Sequence, residues 1–98
     1  MYNNAFNNER FHLSHITTRD EVRLFADYLV NGLDINFHPD DPFEGYVNCQ
    51  TGERTFSDMD AAVGNRLMDE CFNVCDASED EIYDIMGAFL FERLGLNS

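Results

Sequence analysis

Apolar residues recur at helical spacing in three stretches of this 98-residue chain. The first stretch opens at Thr18, which stands at capping-box spacing from Glu21, and runs to about Asn31. The second opens at Ser57 and the third at Ser78, each followed by acidic residues that the helix dipole favours. The pattern predicts three amphipathic helices, with apolar faces made of Val22, Phe25, Ala26 and Leu29; Val63, Gly64, Leu67, Met68, Cys71, Phe72, Val74 and Cys75; and Ile82, Ile85, Met86, Phe89, Leu90 and Leu94.

Helical periodicity disappears between the first two predicted helices. The stretch Leu33–Gly45 contains two prolines and several acids, and its apolar anchors favour an ordered loop over a linker. Next, 46–49 and 54–56 flank Gln50–Glu53, in which Gly52 can take a positive φ, so a short β-hairpin is predicted. The expected fold class is therefore α+β and mainly α, with three helices and one short β-hairpin between helices 1 and 2.

Asparagines crowd the first ten residues, which offer little to bury apart from Tyr2 and Phe6. This composition predicts a loose Asn-rich N-terminal arm over residues 1–16 and a single compact domain over 17–98. The polar start has no charged region followed by an apolar stretch, so it is not expected to be a signal peptide.

The charge balance restricts the classes of partner. The chain has 19 acidic residues against six basic ones, all arginines, and a net charge of −13. No basic stripe can form for a phosphate backbone, and anionic membranes are disfavoured for the same reason. No apolar run approaches the ~20 residues that span a bilayer. The three cysteines are an odd number that suits a reducing compartment, so a cytoplasmic location is expected.

Two segments hold residue types that bind metals. Cys71 and Cys75 are four positions apart and could join Cys49 and a histidine around zinc, but both lie at the centre of an apolar stripe, which favours the core. The stretch that starts at Asp34 has alternating oxygen ligands like a calcium loop, yet Pro39 stands where glycine is required. A solvated acidic turn is the better interpretation, and no cofactor is expected.

No pattern points to catalysis. Neither Ser14 nor Ser57 lies in a nucleophile-elbow context, and acids are so abundant that any named carboxylate pair is uninformative. The chain is therefore predicted not to be an enzyme.

The acidic excess is explained only in part by helix dipoles, which account for acids in first helical turns. The remaining acids hint at a surface for a basic protein partner. The predicted contributors are Asp34, Asp40, Asp41 and Glu44 from the loop, with Asp69 and Glu70 from the polar side of helix 2. Phe91 lies opposite the main stripe of helix 3, so it is expected to contact the hairpin or another chain, including a second copy in a homodimer.

Four stretches carry a resemblance to other proteins: LFADYLVNGL from Leu24, NFHPDDPFEGYVN from Asn36, TGERTF from Thr51 and NRLMDECFNVC from Asn65. Together they resemble small acidic proteins carried on mobile or conjugative elements of gut Bacteroides-type bacteria. The resemblance covers about Thr17 to Leu96 and leaves out the arm. It implies a cytoplasmic accessory protein and transfers no catalytic or ligand residue.

These observations favour a non-enzymatic protein-interaction module with a strongly acidic surface. The alternative, from another class, is a small metal-binding or regulatory domain that uses the Asp34–Glu44 loop or the cysteines.

Added salt should raise the melting temperature. The uncompensated negative charges repel one another in the compact state, and ions screen that repulsion. Salt also weakens the acids at helix starts, but each of those contributes only about 0.3 to 1 kcal/mol, so repulsion should dominate. Thermal unfolding at low and moderate ionic strength measures the effect. An unchanged or lowered melting temperature would mean that the acids are paired, ion-bound or harmlessly dispersed.

Overall fold

Each of the three α-helices that the structure describes begins directly after a residue whose side chain caps it. The computed structural model describes residues 4–48, 50–74 and 76–94, the last three as backbone only. The helices are α1 (Arg19–Asp27), α2 (Asp58–Cys71) and α3 (Glu79–Leu94). Thr18 and Glu21 form the expected capping box, Ser57 accepts a hydrogen bond from the Asp60 amide at 3.2 Å, and Ser78 accepts one from the Glu81 amide at 3.1 Å. The three predicted helix starts are confirmed.

The first helix does not stay α-helical to Asn31. A π-helix, Tyr28–Gly32, follows α1 directly, and the Leu33 amide donates to the Tyr28 carbonyl at 2.8 Å. Its first three residues, Tyr28, Leu29 and Val30, are all buried. The helical run therefore ends about where the sequence predicts, but its last turn is wider than an α-turn.

The predicted β-hairpin is wrong. Within the described ranges no strand forms, and Val47 and Arg54 make one isolated antiparallel bridge. The Asn48 side chain accepts hydrogen bonds from the Gln50 and Thr51 amides, at 2.8 and 3.0 Å, and so closes the turn between the two paired residues. A pairing of one bridge is too short to form strands. In the residues that the structure describes, the fold is mainly helical, as expected, and lacks the expected hairpin.

The loop before this turn is ordered, as predicted. Ile35, Phe37 and Phe43 are buried, and Phe43 opens a short 3-10 helix, Phe43–Gly45. The Phe43 amide donates to the side chain of Asn65 on α2 at 2.9 Å. Gly64 leaves room for this packing, because a Cβ there would lie 2.8 Å from the Phe43 ring. The loop is thus fixed by α2.

The prediction of a loose arm fails for residues 4–16. Phe6 is only 3% exposed, and its ring centroid lies between 5.6 and 6.3 Å from five other aromatic rings. The side chain of Asn8 stabilises the local turn. Its Nδ2 donates a hydrogen bond to the Asn4 carbonyl at 2.8 Å, and its Oδ1 accepts one from the Phe11 backbone amide at 3.1 Å. The Asn8 side chain therefore closes a turn. The predicted boundary between arm and domain at residue 16 does not separate two parts of the structure, because one core cluster includes Ala5, Phe6, Phe11 and Ile16.

The apolar faces of α2 and α3 follow the predicted stripes. Leu67, Met68 and Cys71 are buried on α2, whereas Phe72 beyond its end is half-buried. Burial raises the pKa of the Cys71 thiol to about 12, so it remains protonated at neutral pH and belongs to the core, as predicted. Cys49 and Cys75 lie outside the described residues. On α3, Ile82 and Met86 are buried, and α1 packs against this helix.

Replacing Phe6 by Ala should destabilise the protein by about 3 to 5 kcal/mol, because the change leaves a cavity among the surrounding rings. Urea unfolding measures the loss. The matched control is Phe91→Ala, at a side chain that is 55% exposed, which should change stability by at most about 0.5 kcal/mol. If the two substitutions lowered the free energy of unfolding equally, Phe6 would not be packed in the core and the prediction of a loose arm would stand.

Candidate protein-interaction groove

A concave surface lies where the acidic loop meets α2 and α3. This acidic groove encloses about 560 Å³. Its position follows from the fold, because the loop is held to α2 through Phe43 and α3 begins shortly after α2 ends. Its lining consists of Pro39, Asp40, Met68, Asp69, Phe72, Asn73, Glu79 and Tyr83.

Three exposed carboxylates from three segments line the acidic groove: Asp40 from the loop, Asp69 from α2 and Glu79 from the first turn of α3. Asp40 is oriented by the protein, because its Oδ1 accepts a hydrogen bond from the Tyr83 hydroxyl at 2.8 Å. That bond raises the pKa of the Tyr83 phenol, so the hydroxyl remains the donor at neutral pH. The side chains of Asp69 and Glu79 form no hydrogen bond or ion pair with another described residue, and both are exposed.

Two aromatic rings lie beside these carboxylates. The centroids of Phe72 and Tyr83 are 5.1 Å apart, and the ring planes are inclined at 58°. Both side chains are half-buried and line the groove. A guanidinium group is attracted both to carboxylates and to aromatic faces. The chemistry of the groove therefore suits an arginine side chain of a partner better than a compact anion or an apolar ligand.

The structure separates the predicted partner-binding residues. Asp40 and Asp69 meet in the groove, whereas Asp34 lines a different concavity with Tyr46 and Arg54. Asp41 is exposed outside the groove lining, and Phe91 is exposed on α3, also outside it. The predicted residues therefore do not line one common concavity.

Two of the predicted acids have structural bonds instead. Glu44 accepts a hydrogen bond from the Asn65 amide at 2.8 Å, which ties the 3-10 helix to α2. Glu70 accepts from the Ile16 backbone amide at 2.8 Å and from Arg66 at 2.7 Å. The Glu70 side chain is therefore half-buried and bonded to the arm, so it is not an open solvent-facing group like Asp69.

Three residues on which the chemistry of the groove depends were not predicted as site residues from the sequence: Phe72, Glu79 and Tyr83. Phe72 was assigned to the core, and Glu79 to the helix dipole. Spacing contained a signal, since Glu79 and Tyr83 are four apart on a helix, and Asp69 and Phe72 are three apart. The spacing gave no indication that Asp40 lies next to Tyr83, because the two residues are 43 positions apart in the sequence.

Comparisons with models of protein families, with curated proteins and with solved structures give no match. The function must therefore be argued from the geometry of this chain.

Metal binding gains no support from the described residues. Among them, no three histidine, cysteine or acidic side chains lie close enough together to hold a metal ion. Asp34 and Asp40, the ends of the calcium-like stretch, line different concavities. The cysteine alternative depends on Cys49 and Cys75, which lie outside the described residues.

None of the helices within the described ranges is both long enough and apolar enough to cross a lipid bilayer.

Replacing Glu70 by Gln should destabilise the protein at neutral pH. The Ile16 amide, and then Arg66 and His15, lower the pKa of Glu70 below its ordinary value of 4.5. A carboxylate whose folded pKa is depressed stabilises the fold above its unfolded pKa, and that contribution is lost as pH falls through the folded pKa. The stability difference between wild type and Glu70→Gln should therefore be constant above about pH 5 and shrink below about pH 4.5.

Urea unfolding of both proteins across this pH range measures that difference. The matched control is Asp69→Asn, which removes the same charge from the adjacent position without breaking a bond to the arm. A Glu70→Gln protein that is as stable as Asp69→Asn at neutral pH would show that Glu70 does not anchor the arm.

Proposed function

We propose that this chain is a non-enzymatic interaction module that binds an arginine-containing segment of a basic protein in the acidic groove. The observation that carries the proposal is the convergence of Asp40, Asp69 and Glu79 around the Phe72 and Tyr83 rings. The arrangement is specific because the loop, α2 and α3 each contribute one carboxylate.

The net charge supports the same proposal through kinetics. A charge of −13 attracts a basic partner over a distance set by ionic strength, about 8 Å at physiological salt. Such steering raises the association rate, whereas the groove supplies short-range contacts that resist dissociation. The global acidity and the local groove therefore act at different stages of binding.

Two further expectations stay predictions. One is a cytoplasmic location, with an accessory role on a mobile genetic element that depends on the resemblance alone. The other is self-association through Phe91, whose ring is 55% exposed on α3. Neither is needed for the groove to bind a basic segment.

Reversing Asp69 and Glu79 to Arg should weaken binding of a short arginine-rich peptide by about tenfold or more, because two of the three groove carboxylates are lost. Both residues are exposed, and their dipole effects oppose each other, since Glu79 begins a helix and Asp69 is near the end of one. The fold should therefore remain intact. Calorimetric titration gives the affinity, and amide chemical shifts locate the peptide.

The matched control reverses Glu53 and Asp80 to Arg. It makes the same change in net charge, and Asp80 shares the first turn of α3 with Glu79, but neither residue lines the groove. The control should lose only the salt-sensitive part of the affinity. If both double variants lost affinity equally, binding would be nonspecific charge attraction. If citrulline in place of arginine left the peptide's affinity unchanged, the guanidinium group would not be recognised. Either result would make the groove assignment wrong.

A further inference from the structure

A second concavity, separate from the acidic groove, lies between the N-terminal arm and α1. This arm cleft encloses about 400 Å³, within the range of small-molecule pockets in proteins. Its lining includes Phe11 and Leu13 from the arm and Leu24 and Tyr28 from the helical run that starts with α1. It shares no lining residue with the acidic groove.

The floor of the cleft is rigid and apolar. The rings of Phe11 and Tyr28 are stacked, with centroids 4.6 Å apart and planes 11° from parallel. Tyr28 is held in turn, since its hydroxyl donates to the Ala5 carbonyl and accepts from the Asn8 amide at 3.0 Å. Leu24 leaves 54% of its surface exposed at the same site. An apolar ligand body would cover Leu24 without any rearrangement of the floor.

Arg10 gives the cleft a cation that is available to a ligand. The other four arginine side chains that the structure describes each form an ion pair with a carboxylate: Arg19 with Glu81, Arg23 with Asp20, Arg54 with Asp58 and Arg66 with Glu70. Arg10 has no such partner among the described residues, although the chain has 19 acids. Asp27, the carboxylate in the cleft, instead accepts a hydrogen bond from Asn31 at 2.7 Å.

The backbone at the cleft is unusual in the way that functional sites often are. The π-helix forms one wall, and π-helical turns occur frequently at such sites. Its last residue is Gly32, where a Cβ would lie 2.6 Å from the Tyr28 ring and 3.4 Å from a terminal nitrogen of Arg10. Glycine thus leaves open the space in which the aromatic floor and the guanidinium group meet.

We propose that the arm cleft binds a small carboxylate with an apolar body. The carboxylate pairs with Arg10, and the apolar part covers Leu24 beside the buried Phe11 and Tyr28 rings. A guanidinium group binds a carboxylate through two parallel hydrogen bonds, which makes the head group the specific part of the ligand. This site is independent of the basic-partner function.

The test uses 3-phenylpropionate and octanoate as probes, with their neutral amides as matched compounds, at physiological salt so that the overall negative field is screened. Calorimetry gives affinities, and amide chemical shifts should change at Arg10, Leu24 and Asn31. Each acid should bind about tenfold or more tightly than its amide, since a bond to a charged group is lost.

Two variants with matched controls complete the test. Arg10→Gln should weaken binding of 3-phenylpropionate by about tenfold, whereas Arg23→Gln, which removes the same charge from α1 outside the cleft, should not. Leu24→Ser should weaken it severalfold, whereas Met59→Ser, at a residue that is 74% exposed elsewhere, should have no effect. All four side chains are exposed, so the fold should tolerate the changes.

Three results would overturn the proposal: no binding of either acid at millimolar concentration, equal affinity for acid and amide, or equal affinities of Arg10→Gln and Arg23→Gln. The groove variant with Asp69 and Glu79 reversed should still bind 3-phenylpropionate, so failure of one proposal is distinguishable from failure of the other.

Discussion

The packing of aromatic rings around Phe6 and Phe43 is the interaction on which the rest of the structure depends. The two ring centroids are 5.7 Å apart, and Phe25 and Phe56 contact both. These rings come from the arm, α1, the 3-10 helix and the segment before α2. Since no sheet joins these segments in the described part of the chain, ring contacts and a few side-chain hydrogen bonds hold them together.

The acidic residues fall into two groups according to what faces them. Glu21, Glu70 and Glu81 accept hydrogen bonds from backbone amides or arginine, and these bonds lower the pKa of each carboxyl. Asp69 and Glu79 face solvent in the groove instead. The first three carboxylates therefore stabilise the fold, whereas Asp69 and Glu79 remain open to solvent.

The arm contributes both to the core and to the wall of the arm cleft. It contributes Phe6 and Phe11 to the core, and Ile16 to the bond that holds Glu70 against it. By lying across α1 it also creates the cleft that contains Arg10. The acidic groove depends in the same way on the loop, whose buried Phe43 places Asp40 near α3. Both concave surfaces are therefore products of chain segments that have little regular secondary structure.

The sequence by itself determined the features that depend on neighbours within a few positions. Thr18, Ser57 and Ser78 begin their helices through bonds to amides three residues ahead, and the apolar stripes of α2 and α3 follow from helical spacing. The buried anchors of the loop were predicted for the same reason, because their apolar character contrasts with the polar residues around them.

Tertiary structure decided everything that depends on distant partners. The Ile16 amide and Glu70 are 54 positions apart, and the Tyr83 hydroxyl and Asp40 are 43 apart, so no local pattern shows either bond. The arm was expected to be loose because its composition is polar, yet its few aromatic residues find partners along the chain as far away as Phe56. The expected hairpin does not form strands because its antiparallel pairing stops at the Val47–Arg54 bridge, which is too short to be stable as a sheet. Packing energy is shared among residues that are close only in the folded chain, so it overrides local preference where that preference is weak.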